Sequence, residues 1–297
     1  VGKYFFVVEE VEDTAPKRAT VLTLFTHAGG AGKTSLARDL GYELASRGYR
    51  VLLIDADPQA NLSAWLGVEV EEPEEETLLQ VFAGGELPVP RNVVPGMDLI
   101  PSHYQLATGE TTLMQKPQQI FSLRGSLKEA RRTYDFIFID SLPSLGFLAV
   151  ASAMAGDGLI VPVELSRKGL QALPTVFDAA RTYARSLEQM GLWEGHHFVR
   201  LIVPNGAEGT SEERDILEAL GKEVQGVPVA PPLRRRPAVY RKAQRGTPVQ
   251  LVSKEAAEEV ARVGEALLNA LGLSGMQSGV PSGEQSVSPL GKSERLS

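Results

Sequence analysis

"LTLFTHAGGAGKTSLARDL", Leu22 to Leu40, passes from an apolar run through a glycine-rich turn into a stretch with leucines every four residues. Gly29, Gly30 and Gly32 let the backbone adopt φ > 0 and come close to a ligand. Their N–H groups, with that of Ala31, and the N-terminus of the following helix then face an anion. In such a loop Lys33 neutralises the β- and γ-phosphates of a nucleotide, and Thr34 holds Mg²⁺ through its hydroxyl. Ser35, one step into the helix, is placed to meet the α-phosphate. The common pattern G-x-x-x-x-G-K-[ST] wants a glycine at its first position, where this chain has His27. A ligand-free strand-to-helix turn is the plain alternative. The flanking strand and helix patterns favour the nucleotide.

Outward from the loop, Leu36, Leu40 and Leu44 form one apolar stripe, and Gly48 closes the helix. "RVLLIDAD" then enters a second strand, completing a βαβ unit. A phosphate loop alone does not hydrolyse a nucleotide: a metal needs a carboxylate and water needs an orienting group. "YDFIFID" ends in Asp140, a carboxylate expected beside the loop at the C-terminal edge of a parallel sheet. "LLIDADPQAN" carries Asp55 and Asp57, followed by Gln59 and Asn61. Acids two residues apart in extended chain face one side, toward the metal and the water. A single strand-end aspartate is usually an N-cap or turn residue. Three after a glycine loop read as a site.

Bulk properties set the frame. The 297 residues carry a formal net charge of −7, 43% hydrophobic residues and no cysteine. Lack of cysteine removes disulfides, iron–sulfur clusters and cysteine zinc sites. The net charge excludes a wholly cationic nucleic-acid binder but leaves room for a local basic face. With no bilayer-length apolar run and no evident signal peptide, a cytoplasmic protein is expected.

Three segments follow. Residues 1–19 are a charged lead-in beginning with valine, an extra strand or partly disordered, with no assigned function. Residues 20–272 alternate β-rich runs ("TVLTLF", "RVLLID", "MDLIP", "DFIFID", "GLIVPV", "VRLIVP", "VPVA") with helical stretches. This predicts an α/β fold of three layers, a mostly parallel twisted sheet with helices on both faces. Residues 273–297 are Ser/Gly/Pro-rich and expected to be a disordered tail. "VEVEEPEEET" reads as an exposed acidic loop. His103, His196 and His197 have no partners at metal-ligand spacing.

Together these blocks resemble the ParA/MinD group of deviant-Walker ATPases, specifically its ParA/Soj branch. The resemblance covers about residues 20–272 and is carried by "GGAGKTSLARDLGYELASRGYRVLLIDADPQANLSAWLG", "GMDLIPSHYQLA", "YDFIFIDSLPSLGFLAVASAMAGDGLIVPVE" and "APPLRRRPAVYRKAQRGTPV". It implies an ATP-sandwich homodimer, slow partner-stimulated ATP hydrolysis with Mg²⁺, and nonspecific DNA binding on the nucleoid. It also implies a ParB-like centromere-binding partner. Lys33 and Thr34 fall on phosphate and Mg²⁺, Asp57 on the water-orienting aspartate, and Asp140 on the Walker B position. Asn205 and Pro231 lie in segments matching the adenine-contacting region. "DSLPS" stands where "DAPPS" is usual. The family loop K-G-G-x-G-K-[ST] has a first lysine that reaches across the dimer to the other subunit's phosphates, and here that position is Ala28. A cross-dimer cation of this kind contributes about 10³–10⁵ in rate in related phosphoryl transfers. Either hydrolysis is weak or the missing cation comes from elsewhere.

The basic run 233–245 offers Arg234, Arg235, Arg236, Arg241, Lys242 and Arg245 as a surface for DNA phosphates, with Arg241 and Arg245 on one face if the segment is helical. A solvated surface, or arginines serving nucleotide or dimer contacts, is the alternative. The helix expected over 255–271 has an apolar face through Val260, Val263, Leu267 and Leu271. It lacks the aromatics and basic polar face of a membrane-binding helix, so core packing and no membrane partner are expected. Other functions stay open: a nucleotide-binding scaffold with little hydrolysis, a MinD-like positioning ATPase, or a dethiobiotin-synthase-like ATP-dependent enzyme.

Overall fold

The computed structural model describes residues 18–195, 197–224, 226–244 and 246–273. The lead-in to residue 17, the tail from 274, and His196 and Arg245 lie outside the described residues. Eight strands form one sheet: β1 Thr20–Leu24, β2 Val51–Ala56, β3 Arg91–Val94, β4 Met97–Ile100, β5 Phe136–Ser141, β6 Leu159–Glu164, β7 Val199–Ala207 and β8 Leu233–Arg234. Their order is β3-β4-β2-β5-β1-β6-β7-β8, parallel except for the antiparallel β3–β4 pair at one edge.

Side-chain alternation explains the layers. Phe136 and Phe138 enter one core cluster while Ile137 and Ile139 enter another, and Leu22 and Leu24 divide from Val21 in the same way. Apolar residues on both sides of each strand demand cover on both faces, which the helices supply. Six helices matter for the site: α1 Lys33–Ser46, α2 Phe147–Ala155, α3 Arg167–Gln189, α4 Ser211–Glu223, α5 Pro237–Ala243 and α6 Lys254–Ala270. The α/β three-layer expectation is met.

Helix α1 buries Leu36, Leu40 and Leu44 and ends at the left-handed Gly48, whose N–H bonds to the Ala45 carbonyl at 2.9 Å. Helix α6 buries Val260, Val263 and Leu267 in the same cluster, so its apolar face belongs to the core. Among the described residues no helix is long and apolar enough to cross a membrane.

Local departures have physical causes. "VPVA" does not form a strand of its own. The prolines at 228, 231 and 232 remove ladder donors. Two backbone bonds to Ile202 remain, and the edge strand forms at Leu233–Arg234 instead. The acidic run holds a short helical turn, Pro73–Glu76, where Glu76 accepts the N–H groups of Glu71 and Glu72 and pairs with Arg91. Strand β3, which receives that contact, went unread in the sequence because "RNVV" is short and half-exposed. Ala19, assigned above to the lead-in, is buried in the core and bonds to the Arg131 carbonyl.

Candidate functional site

The glycine loop leaves β1 at the centre of the sheet. From β1 the chain crosses to β2 on one side, and from the adjacent β5 it crosses to β6 on the other. Their following loops therefore diverge, and a crevice opens above the carboxyl ends of the strands.

The loop backbone is shaped for close approach. Gly30 and Gly32 have φ of +83° and +93°, and nothing lies within 4 Å of where a Cβ at Gly29 or Gly30 would sit. Gly32 caps α1, its carbonyl accepting the Leu36 N–H at 2.9 Å. A side chain at Gly32 is barred, since its Cβ would fall 2.3 Å from Asn205 Nδ2. That amide donates instead to the Ala31 carbonyl at 2.9 Å, tying the end of β7 to the loop.

Strand register assembles the acids. Asp55 on β2 and Asp140 on β5 are direct neighbours across the sheet, and Asp140 also pairs with Leu24 of β1 just before the loop. Asp140 is 1% exposed, and neither carboxylate oxygen has a hydrogen-bond partner in the structure. Burial, then the neighbouring Asp55, raises its pKa well above the usual carboxylate range, with Thr34 and Lys33 opposing the shift. The Thr34 hydroxyl lies beside it but outside hydrogen-bond geometry. Burial likewise lowers the pKa of Lys33, against the attraction of Asp140 and Asp57.

Asp55 is used differently. Its Oδ2 accepts the Ser63 hydroxyl at 2.7 Å and the Ser63 N–H at 2.9 Å, and its Oδ1 accepts the Asp57 N–H at 3.2 Å. Burial raises its pKa to about 6 despite the Ser63 bonds. Asp55 thus anchors the turn that aims Asp57. Half-buried Asp57 accepts the Gln59 N–H at 2.9 Å, and its carbonyl accepts the Ser102 hydroxyl at 2.8 Å. The turn continues through Ala60, the only non-glycine residue with positive φ among the described residues. Ser63 and Ser102 were missed in the sequence because each acts through a contact with no local pattern.

An orphaned, buried carboxylate beside a lysine and a threonine at a helix N-terminus fits a hard cation. Among the described residues no three acidic or histidine side chains form a metal cage. That suits Mg²⁺, which usually takes one or two carboxylates and completes its shell with phosphate oxygens and water.

The basic run divides. Arg234, Arg235 and Arg236 line an open cleft of about 370 Å³ together with Gly30, Gly32 and Ser35. Arg236 pairs with buried Glu259 at 2.8 Å, and Arg235 with Glu208 at 2.9 Å. Arg241 and Lys242 are exposed on α5. Arg234 and Arg235 border the cleft yet stay exposed, and Glu259 on α6 holds Arg236 against it. Arg245, expected to extend the face of Arg241, lies outside the described residues. Pro231 is exposed and does not line the cleft, unlike Asn205. In "DSLPS", the Ser141 hydroxyl is satisfied by the Leu24 carbonyl at 2.7 Å.

Comparison with known proteins agrees with this fold. The AAA domain family matches residues 19–189. A probable plasmid-partitioning protein ParA of Thermus thermophilus is 48% identical over 272 residues, covering 90% of this chain and 83% of that protein. The sporulation initiation inhibitor protein Soj of Bacillus subtilis is 30% identical, over 59% of this chain and 70% of its own. Among solved structures, an ATP complex of a McdA variant from Cyanothece superposes with a TM-score of 0.74 at 25% identity, covering 88% of this chain and 99% of that one.

Proposed function

This chain belongs to the AAA domain family, in its ParA-type branch of P-loop ATPases; from that premise we propose that it binds ATP with Mg²⁺, dimerises on ATP, hydrolyses it slowly and serves DNA partition. The observation that carries the nucleotide part is Asp140, a buried carboxylate with no partner beside Lys33 and Thr34. Bound Mg²⁺ would neutralise phosphate charge and supply the partner that Asp140 lacks.

The chain's own residues divide the work. The amides of Gly29 to Gly32 face the phosphates, and the Lys33 ammonium balances their charge. Ser35, Asn205 and the arginine-lined cleft flank the rest of the nucleotide. Asp57, held by the Asp55–Ser63 anchor, positions the attacking water. Arg241 and Lys242 present charge to DNA phosphates without reading bases. The partition role rests on similarity to the Thermus relative, and a ParB-like centromere-binding partner belongs to the same reading.

The test is sizing, DNA retention and phosphate release with ATP, ADP or no nucleotide, alongside Asp57→Ala. The expected outcome is ATP-dependent dimerisation and DNA retention, with turnover lowered about 10²-fold or more in the variant while ATP binding persists. Behaviour independent of nucleotide would favour a scaffold, the reading that Ala28 supports.

A further inference from the structure

The loop that follows Asp140 borders the crevice above the sheet. In the strand order β2-β5-β1 it leaves β5 between the turn that carries Asp57 and the phosphate loop. Its near end is fixed at the strand, where the Ser141 hydroxyl donates to the Leu24 carbonyl at 2.7 Å. Its far end runs into α2 and is held from another part of the chain. Glu110, on the helix Thr108–Gln115, accepts the Phe147 N–H at 2.7 Å on one carboxylate oxygen and the Leu148 N–H at 2.8 Å on the other. Amides in a first helical turn have no acceptor within their own helix, and a carboxylate is favoured at that positive end.

The fit is close. The residue before α2, Gly146, has a φ of −72°, open to any residue, yet a Cβ there would fall 2.3 Å from Glu110 Oε1. Space for Glu110, and not backbone freedom, calls for glycine at this position. The helix that carries Glu110 is seated by Leu106 just before it and Leu113 within it, both buried in the cluster that also holds Leu148. The same stretch of chain begins at Ser102, which supports the Asp57 turn. The Ser102 hydroxyl donates to the Asp57 carbonyl at 2.8 Å, and its N–H donates to the Ser63 hydroxyl at 2.9 Å. Ser63 in turn donates to Asp55. Residues 102–110 therefore brace the Asp57 turn at one end and the loop after Asp140 at the other.

We propose that Glu110 is a positioning residue for hydrolysis: it locks the loop after Asp140 to the segment that supports the Asp57 turn, holding the two acids' surroundings in one frame. The proposal rests on the ATP hydrolysis proposed above. Glu110 touches neither nucleotide nor water, and it exchanges no proton. Its effect is geometric, acting through two backbone amides, and in-line attack on a phosphate is sensitive to displacements of about 1 Å. No local pattern in the sequence reveals the role, because positions 110 and 147 meet only where their helices pack.

The test uses the full chain and four variants: Glu110→Gln, Ser102→Ala, the two combined, and Gly146→Ala. Glutamine keeps the size of the side chain and one acceptor, but its NH₂ group faces the second N–H. Gly146→Ala disturbs the same contact from the other side and leaves the carboxylate in place. Circular dichroism checks the fold, ATP binding is measured with a fluorescent analogue, and kcat and KM are measured with Mg²⁺–ATP. Glu110→Gln and Gly146→Ala should each lower kcat about tenfold or more, with KM for ATP within about twofold of the parent. Ser102→Ala should lower kcat in the same way. The double variant should be no slower than the slower single one, since both break one brace. A folded Glu110→Gln or Gly146→Ala chain that turns over ATP like the parent overturns the inference alone. So do losses that multiply in the double variant, which would mean two independent supports. A parent that binds no ATP, or binds it without turnover, overturns the underlying reading and the inference with it.

Discussion

At Asp140 the sheet holds a carboxylate against its own solvation: 1% exposed, with both oxygens unpartnered. Such a group costs stability until a cation arrives. Asp140→Asn should therefore raise the stability of the nucleotide-free protein in chelator by about 1–3 kcal/mol, read from urea unfolding. The same variant should lose the stabilisation that Mg²⁺–ATP gives the parent. A variant less stable than the parent in chelator would show that the carboxylate is already satisfied. Gly32 makes the opposite case, of a residue whose lack of a side chain makes room for Asn205. Gly32→Ala puts a methyl 2.3 Å from Asn205 Nδ2 at a φ of +93°. It should cost about 1–2 kcal/mol from the left-handed backbone alone and displace Asn205 from the loop. Unfolding midpoints and loss of nucleotide binding check it. Both residues were legible in the sequence as motif members. That one lacks a partner and the other is crowded by Asn205 was not, because both facts arise from β5 and β7.

At the level of elements, the sheet and α3 meet through aromatic rings. Phe25, one residue past β1, stands edge-on to Tyr183 of α3, with ring centroids 5.9 Å apart. Burial pushes the Tyr183 hydroxyl from its ordinary value of 10 to about 12. The folded state therefore keeps the proton after the unfolded chain has released it. This contribution is complete below pH 10 and is lost as pH rises toward 12. Tyr183→Phe should flatten the fall of melting temperature across that interval while leaving neutral stability nearly unchanged. An equally steep fall would mean that other groups govern alkaline unfolding. The strands and long helices could be read from periodicity. The missed elements are edge strands, where β3 has two half-exposed faces and β8 only two residues.

For the whole molecule, charge is segregated against a net −7. Arg235 and Arg236 are paired to acids beside the cleft, leaving Arg241 and Lys242 exposed on α5. If α5 faces DNA, neutralising Arg241 and Lys242 together should reduce the slope of log K against log[salt] by about 2. Neutralising Arg234 and Arg235 should instead change nucleotide binding. An unchanged slope for the α5 pair would move the DNA surface elsewhere. The sequence showed the run of basic residues but not this division, which depends on where α6 places Glu259.

Backbone preference and hydrophobic period are local, so the phosphate loop, α1, the buried strands and the ParA-type architecture were determined by sequence alone. Each follows from what neighbouring residues permit in φ and which faces they must bury. Tertiary structure decided which distant residues share a site. The pairing of β2 with β5 sets Asp55 beside Asp140, and the pairing of β1 with β5 sets Asp140 beside Leu24, just before the phosphate loop. Strand order is settled by packing the whole sheet, and no short stretch of chain contains that information.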